Sequence, residues 1–357
     1  MSNNTEKSLA AALTDHRRAG LTEQVDYKKF YLYSVITHST AIEGSTLTED
    51  ETALLFDQGI IPSGHTKNEI FMNEDLKNAY EISYSLAHAH IPYTPKMLQK
   101  LSAAVMKNTG RLFSVAQGSY DERNGDFRLL NVHPSGGNSR SYAGYEKVQM
   151  LTQQFCEQLN ERRSQLTADS PITDIYNLSY WAHYELVSIH PWSDGNGRMS
   201  RLIMNQLQEE FGVLPVKVNS NLKQNYIASL KSSRVENTPE IFYQFMTDNH
   251  LSNVREDLLN LYKNNNPDYI ERKNETVKYA VEYVKSGNGY LWLRDNFNDL
   301  CNDTLPDTIT DDKTIYRTMI GQEIINRCTP RIDSKQLDTL QKEMSSVMTE
   351  VNQGLKR

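Results

Sequence analysis

Cysteine is scarce in this chain. Its 357 residues include three, Cys156, Cys301 and Cys328, too few and too scattered for a disulfide framework or a zinc site. No run of about 18 apolar residues appears, so no membrane span is expected. The opening stretch MSNNTEKSLAAALTDHRRAG lacks an apolar block, so no secretory signal is expected and a soluble cytoplasmic protein is the reading. Basic charge is not in excess. The net charge is −7 with a pI of 5.8, which gives no bulk attraction to nucleic acid or anionic lipid. Glycine (17) and proline (11) are near ordinary usage, so collagen-like and low-complexity chains are excluded. What is present is enough apolar residue, 38% against 23% charged, to build a core, and enough length for two domains.

The pattern is mainly helical. Phe30, Tyr33 and Ile36 mark a helix over 27–43 that Gly44 stops, and Thr48 with Glu51 forms a capping box for a short helix beyond it. Residues 68–88 carry no Gly or Pro and suit another helix; Thr94-Pro95 opens one to about Asn108. Residues 109–142 break the pattern and read as a loop ending in a small β-hairpin that turns at Gly136-Gly137-Asn138. Helices resume at about 144–166 and after Ser170-Pro171, where Ile175, Leu178, Ala182, Leu186 and Ile189 make one stripe. His190-Pro191 must end that helix, because the residue before a proline avoids the α region. A further helix begins near Asn196-Gly197 with the stripe Met199, Ile203, Leu207. Asn264-Asn265-Asn266-Pro267 is the best linker, followed by helical patterns at 268–285, 311–327 and 334–352. In the last of these, Leu337, Leu340, Met344, Val347 and Val351 form a short heptad seam; it packs on its own domain or, alternatively, makes a homodimer.

The informative segment is His190-Pro-Trp-Ser-Asp-Gly-Asn-Gly-Arg-Met-Ser-Arg201. Asp-Gly-Asn-Gly must turn sharply, and its glycines open backbone N–H groups to close approach. The turn feeds a helix N-terminus, whose free N–H groups and positive dipole end favour an anion. Arg198 and Arg201, three apart on the first turn, suit a polyphosphate better than a single carboxylate. A carboxylate beside phosphates is repelled unless a cation lies between, so Asp194 implies Mg²⁺. His190 is the one group there that can take a proton near neutral pH. The bland alternative, a plain turn with a capping histidine and solvated arginines, would have to produce all six residue types at this spacing by accident.

This segment resembles the Fic motif, His-Pro-Phe-x-Asp/Glu-Gly-Asn-Gly-Arg-x-x-Arg, departing from it only in Trp192, which keeps an aromatic anchor. The resemblance extends over roughly residues 25–250 and not over the tail. It implies a Fic-like helical bundle with a β-hairpin flap, followed by a C-terminal helical domain. The division is an N-terminal segment 1–26, an inhibitory helix region 27–66, a core 67–263 and a tail 267–357. It also implies transfer of AMP from ATP to a Ser, Thr or Tyr hydroxyl of a target protein, the chain itself being one candidate. His190 is then the base, and Asp194 holds Mg²⁺. Gly195, Asn196 and Gly197 cradle the phosphates, with Arg198 and Arg201 on the outer two.

Ser39-Thr-Ala-Ile-Glu43-Gly44 resembles the family's inhibitory motif, Ser/Thr-x-x-x-Glu-Gly/Asn, and implies that Glu43 pairs with Arg201. The stretch from Val132, His133, Pro134 and Ser135 to Tyr142 falls where the family has its target-binding flap, and Tyr226 where it places an aromatic near the nucleotide base; a core tyrosine is the equal alternative. His183 reads as a core histidine, and nothing is assigned to His88 or His90. Three rivals stay open: another nucleotide or a reversed phosphate transfer, removal of AMP with Glu43 aligning a water, and a nucleotide-sensing regulator without catalysis.

Overall fold

The computed structural model describes residues 2–23, 25–133, 142–167 and 169–265, with scattered positions beyond 273. Pro134 to Ser141, which include the expected turn at Gly136-Gly137-Asn138, lie outside the described residues, as do the heptad positions of the last helical pattern. The chain divides into two compact units, one made of Met1–Ala10 and Gly20–Leu251, the other of Ala11–Ala19 and Ser252–Arg357. In the second, His16 Nε2 lies 3.8 Å from Asp257 Oδ2.

The described residues are mainly α. The helices are α1 (Ser2–Arg18), α2 (Val25–Ile42), α3 (Glu49–Gln58), α4 (Lys67–His88), α5 (Pro95–Val105), α6 (Tyr145–Ser164), α7 (Ile172–Ile189), α8 (Asn196–Glu210), α9 (Lys223–Glu236) and α10 (Glu240–Asn265). Local chemistry sets several ends. Thr48 and Thr66 accept from the N3 backbone of α3 and α4 while Glu51 and Glu69 reach back, two complete capping boxes. Thr94 caps α5 with Pro95 at its first position. Gly44, at φ 110°, ends the turn after α2, a conformation that strains any residue with a Cβ.

The sheet that is described lies outside the span where a hairpin was expected. Among the described residues the strands are β1 (Leu112–Val115) and β2 (Gly118–Asp121), antiparallel, pairing Leu112 with Asp121 and Val115 with Gly118. This hairpin precedes the stretch from Val132 to Tyr142, of which Val132 and His133 are irregular backbone while the expected turn is not among the described residues. Phe113 and Tyr120, directly opposite, stack with centroids 5.0 Å apart. The Tyr120 hydroxyl lies 2.7 Å from Ser193 Oγ, which joins the hairpin to the loop of interest.

Helix α8 packs against α7 and α4 and is the centre of the first unit. One apolar stripe was expected; instead every residue from Arg198 to Gln208 is buried. Burying amides is tolerable only when they are hydrogen-bonded, and these are. Tyr80 Oη donates to Asn205 Oδ1 at 2.6 Å, Ser83 Oγ to Gln206 Oε1 at 2.9 Å, and Gln208 Nε2 to Ser179 Oγ at 2.8 Å. The five stripe residues of α7 are all buried as expected. The result is a rigid α7–loop–α8 hairpin whose loop is residues 190–195.

Candidate active site

Helix α7 ends at His190, which adopts the left-handed conformation (φ 55°, ψ 62°) and donates its N–H to Leu186 O at 3.1 Å. The imidazole Nδ1 lies 3.3 Å from Val187 O. A carbonyl only accepts, so Nδ1 carries the proton and Nε2 is left as the acceptor, the tautomer a base requires. Burial lowers the His190 pKa to about 4, helped by the charges of Arg128 and Arg234 against the opposing Val187 contact and Asp194. The ring is thus neutral at physiological pH.

The loop is tied on itself. Asn196 Oδ1 accepts from Trp192 N at 3.1 Å while Asn196 Nδ2 donates to Trp192 O at 2.8 Å. The Trp192 ring, 1% exposed, donates from Nε1 to Gly125 O at 3.0 Å. Trp192 thus fills the aromatic anchor position and adds a hydrogen bond that Phe could not make. Gly195 sits at φ 79°, and a Cβ there would lie 2.8 Å from Met106 Sδ, so both conformation and space demand glycine. No side chain caps α8, which leaves N–H groups of its first turn for an anion. Gly195 N–H is the exception, donating to Asp194 Oδ1 at 2.6 Å. The other carboxylate oxygen of Asp194, whose side chain is 68% exposed, lies 3.8 Å from Arg198 Nη2.

The two arginines are used differently. Arg198 is buried; its Nη2 meets Met106 Sδ at 3.2 Å, a weak acceptor, while Nε and Nη1 are buried without a partner. A buried guanidinium with unmet donors is a costly arrangement that an incoming anion would relieve. Arg201 is equally buried but occupied. Its Nε donates to Ser39 Oγ at 2.8 Å, Nη2 to Ser39 O at 3.0 Å and to Glu43 Oε1 at 2.6 Å, and Nη1 to Tyr226 Oη at 3.4 Å. The Glu43–Arg201 pair expected from the sequence is therefore formed, across 158 positions of chain. Burial pushes the Glu43 carboxyl up, but the charge and hydrogen bond of Arg201, with Arg198 and Lys223, outweigh it and hold the pKa below the ordinary value. The carboxylate also covers the cradle: a Cβ at Gly197 would lie 2.4 Å from Glu43 Oε1.

Tyr226 is 3% exposed, so its ring offers no open face to a base; it lies under Arg201, with its hydroxyl 2.8 Å from His183 Nε2. His183 is the buried core histidine expected. One residue that braces the site carried no sequence signal. Arg128, 1% exposed, donates from Nε to His190 O at 2.7 Å, from Nη1 to Leu130 O at 2.8 Å and from Nη2 to Ala143 O at 2.6 Å. It ties both ends of the segment between Leu130 and Ala143 to the histidine, and a lone arginine in a loop announces none of this.

The Fic/DOC family model matches residues 92–208, the stretch from just before α5 to within α8. This stretch is thus similar to the Fic/DOC family. The chain is 31% identical over 222 residues to the protein adenylyltransferase Fic of Drosophila persimilis, covering 62% of this chain and 40% of the relative. It is 30% identical over 222 residues to that of Drosophila melanogaster, with 62% and 41% covered. It thus spans about 40% of the length of these curated relatives. Among solved structures, a Fic-domain-containing signaling protein from Bacteroides thetaiotaomicron matches with a TM-score of 0.53 and 21% identity, over 69% of this chain and 91% of that one. Fic-1 (residues 134–508) from C. elegans matches with a TM-score of 0.57 and 19% identity, over 72% and 73%. Those structures share the Fic fold with this chain. Among the described residues no helix is long and apolar enough to cross a membrane.

Proposed function

We propose that this Fic domain transfers AMP from ATP to a Ser, Thr or Tyr hydroxyl of a target protein, and that α2 holds it in check. The observation that carries the reading is Arg198: a buried guanidinium with unmet Nε and Nη1 donors, at the uncapped start of a helix, beside a base-ready histidine. Such a site is built for a polyphosphate. The relatives named protein adenylyltransferase agree with the nucleotide and the reaction.

His190 Nε2 takes the proton of the incoming hydroxyl, which then attacks the α-phosphorus; the bond to the β-phosphate oxygen breaks and pyrophosphate leaves. Gly195 to Gly197 supply N–H groups and close approach, Arg198 neutralises the β-phosphate, and Arg201 receives the γ-phosphate once Glu43 releases it. Asp194, a largely exposed carboxylate beside an anion site, fits a hard divalent cation. Mg²⁺ held there would supply charge neutralisation between carboxylate and phosphates. The chain's own contribution is placement and fixed charge, the usual resources of phosphoryl-group transfer.

In the inhibited state Glu43 occupies the guanidinium that the γ-phosphate needs. Residues 27–66 then act as the inhibitory region and 67–263 as the core. Incubation with Mg²⁺ and ATP labelled on the α-phosphate, followed by intact-mass measurement of chain and lysate proteins, tests the reading. A mass gain of one AMP supports it; transfer of label only from γ-labelled ATP, or none even after Glu43→Gly, would sink it.

A further inference from the structure

The His190 imidazole is constrained on more than its bonded edge. The Nδ1 contact to Val187 O is 3.3 Å, long against the usual 2.9–3.0 Å or so for N–H···O, and so a weak restraint on ring rotation. The ring is also covered on one face by Tyr142, with centroids 3.9 Å apart and planes 14° apart. The guanidinium carbon of Arg234, on α9, stands over the Tyr142 ring at 4.3 Å. Two groups this close to one ring cannot share a face, so Tyr142 is sandwiched between His190 and Arg234. Tyr142 follows Ser141 and precedes Ala143, whose carbonyl Arg128 holds. Backbone anchorage at Ala143 and the cation over the ring therefore fix Tyr142 from two directions. Tyr142 is only partly buried, so a need to fill the core does not account for a tyrosine there.

We propose that Tyr142 is a positioning residue for the His190 base: its ring, backed by Arg234, fixes the imidazole plane so that Nδ1 stays on Val187 O and Nε2 stays free for the hydroxyl proton. The role assigned to Nε2 rests on the transferase reading; the restraint on the ring does not. Face-to-face stacking suits this task because it covers the flat side of the imidazole and leaves the Nε2 edge open. It also excludes water from that side. The charged groups facing His190 are Arg128, Arg234 and Asp194, and both arginines favour the neutral ring. An imidazole freed from Tyr142 would turn, hydrate, and lose its preference for the Nδ1–H form.

The test is ring-nitrogen NMR of histidine-labelled full-length chain, with His190→Ala to assign the signal. In the parent and in Tyr142→Phe, which keeps the ring, His190 is expected as one tautomer protonated at Nδ1 and titrating near 4. In Tyr142→Ala it is expected as a tautomer mixture titrating closer to 6.5. Tyr142→Leu, apolar but not aromatic, gives the same readout if the alanine variant does not fold. A single Nδ1–H tautomer with unchanged titration in folded Tyr142→Ala or Tyr142→Leu overturns the proposal. AMP incorporation into lysate protein is then compared in the Glu43→Gly background. Loss of the ring is expected to lower the rate at saturating ATP on the order of 10- to 100-fold, with little change in the KM for ATP. If Glu43→Gly alone shows no incorporation, it is the transferase reading that has failed, and the NMR result still decides the role of Tyr142.

Discussion

Replacing Glu43 by glycine removes one hydrogen bond and one charge from Arg201 and leaves the rest of its cage in place. The bond removed is charge-assisted, 2.6 Å long, and made to a guanidinium that is 3% exposed. Bonds to charged groups are worth about 1.5–3 kcal/mol, and about 1.4 kcal/mol is a factor of ten. The carboxylate side chain is 30% exposed, which draws the figure toward the lower end. Release of the brake should therefore raise AMP transfer roughly 10- to 100-fold. Arg201 should stay where it is in the variant. Ser39 accepts from Nε at 2.8 Å and from Nη2 at 3.0 Å, neither bond involving Glu43. The γ-phosphate ligand is thus freed without being lost, and ATP affinity should be kept or increased. Glu43→Gln, which retains a neutral acceptor, should fall between parent and glycine variant. Arg201→Ala should stay inactive, and the double variant should resemble Arg201→Ala. The assay is AMP incorporation, with ATP binding followed by calorimetry. Equal incorporation by parent and Glu43→Gly, or loss of ATP binding in the glycine variant, would refute the reasoning and make the pair a structural tie between α2 and α8.

Further outcomes follow from the same geometry. His190→Ala should lower transfer on the order of 10²- to 10⁴-fold with ATP binding retained in the Glu43→Gly background; transfer at the parent rate would remove the base role. The folded His190 titrates near 4 against about 6.5 unfolded, so between those values the unfolded chain binds more protons and stability falls as pH falls. Denaturant melts should show that loss in the parent and less of it in His190→Ala. Asp194→Ala should abolish transfer together with its Mg²⁺ dependence; metal-dependent activity in the variant would place the ion elsewhere. Arg128→Met strips donors from three carbonyls and should cost about 3 kcal/mol or more of stability, read as a lower denaturation midpoint; a midpoint like the parent's would mean those carbonyls find other donors.

Much of this protein is local chemistry, and local chemistry is legible. The caps at Thr48 and Thr94, the stop at Gly44 and the stripe of α7 depend on residues within a few positions of each other, and the structure has them as read. The segment from His190 to Arg201 is equally local: its turn, its uncapped helix start and its arginines lie within twelve consecutive residues. The Glu43–Arg201 pair became legible only through family resemblance, because nothing in a sequence brings together residues so far apart.

What the tertiary structure decided lies where partners come from other elements. The hairpin formed at Leu112–Asp121, where Phe113 and Tyr120 can pair and Tyr120 can reach Ser193. One apolar stripe on α8 suggested one buried face. Its amides Asn205, Gln206 and Gln208 are buried too, because Tyr80, Ser83 and Ser179 on α4 and α7 supply the partners that make their burial tolerable. Arg128 and Tyr142 carry no local signature, since one reaches the His190 carbonyl from 62 positions away and the other acts through a ring face. The sequence by itself determined which groups could carry the chemistry. Long-range packing decided how the base is held, which arginine is open and which is closed, because burial and orientation belong to the assembled set of helices and to no segment alone.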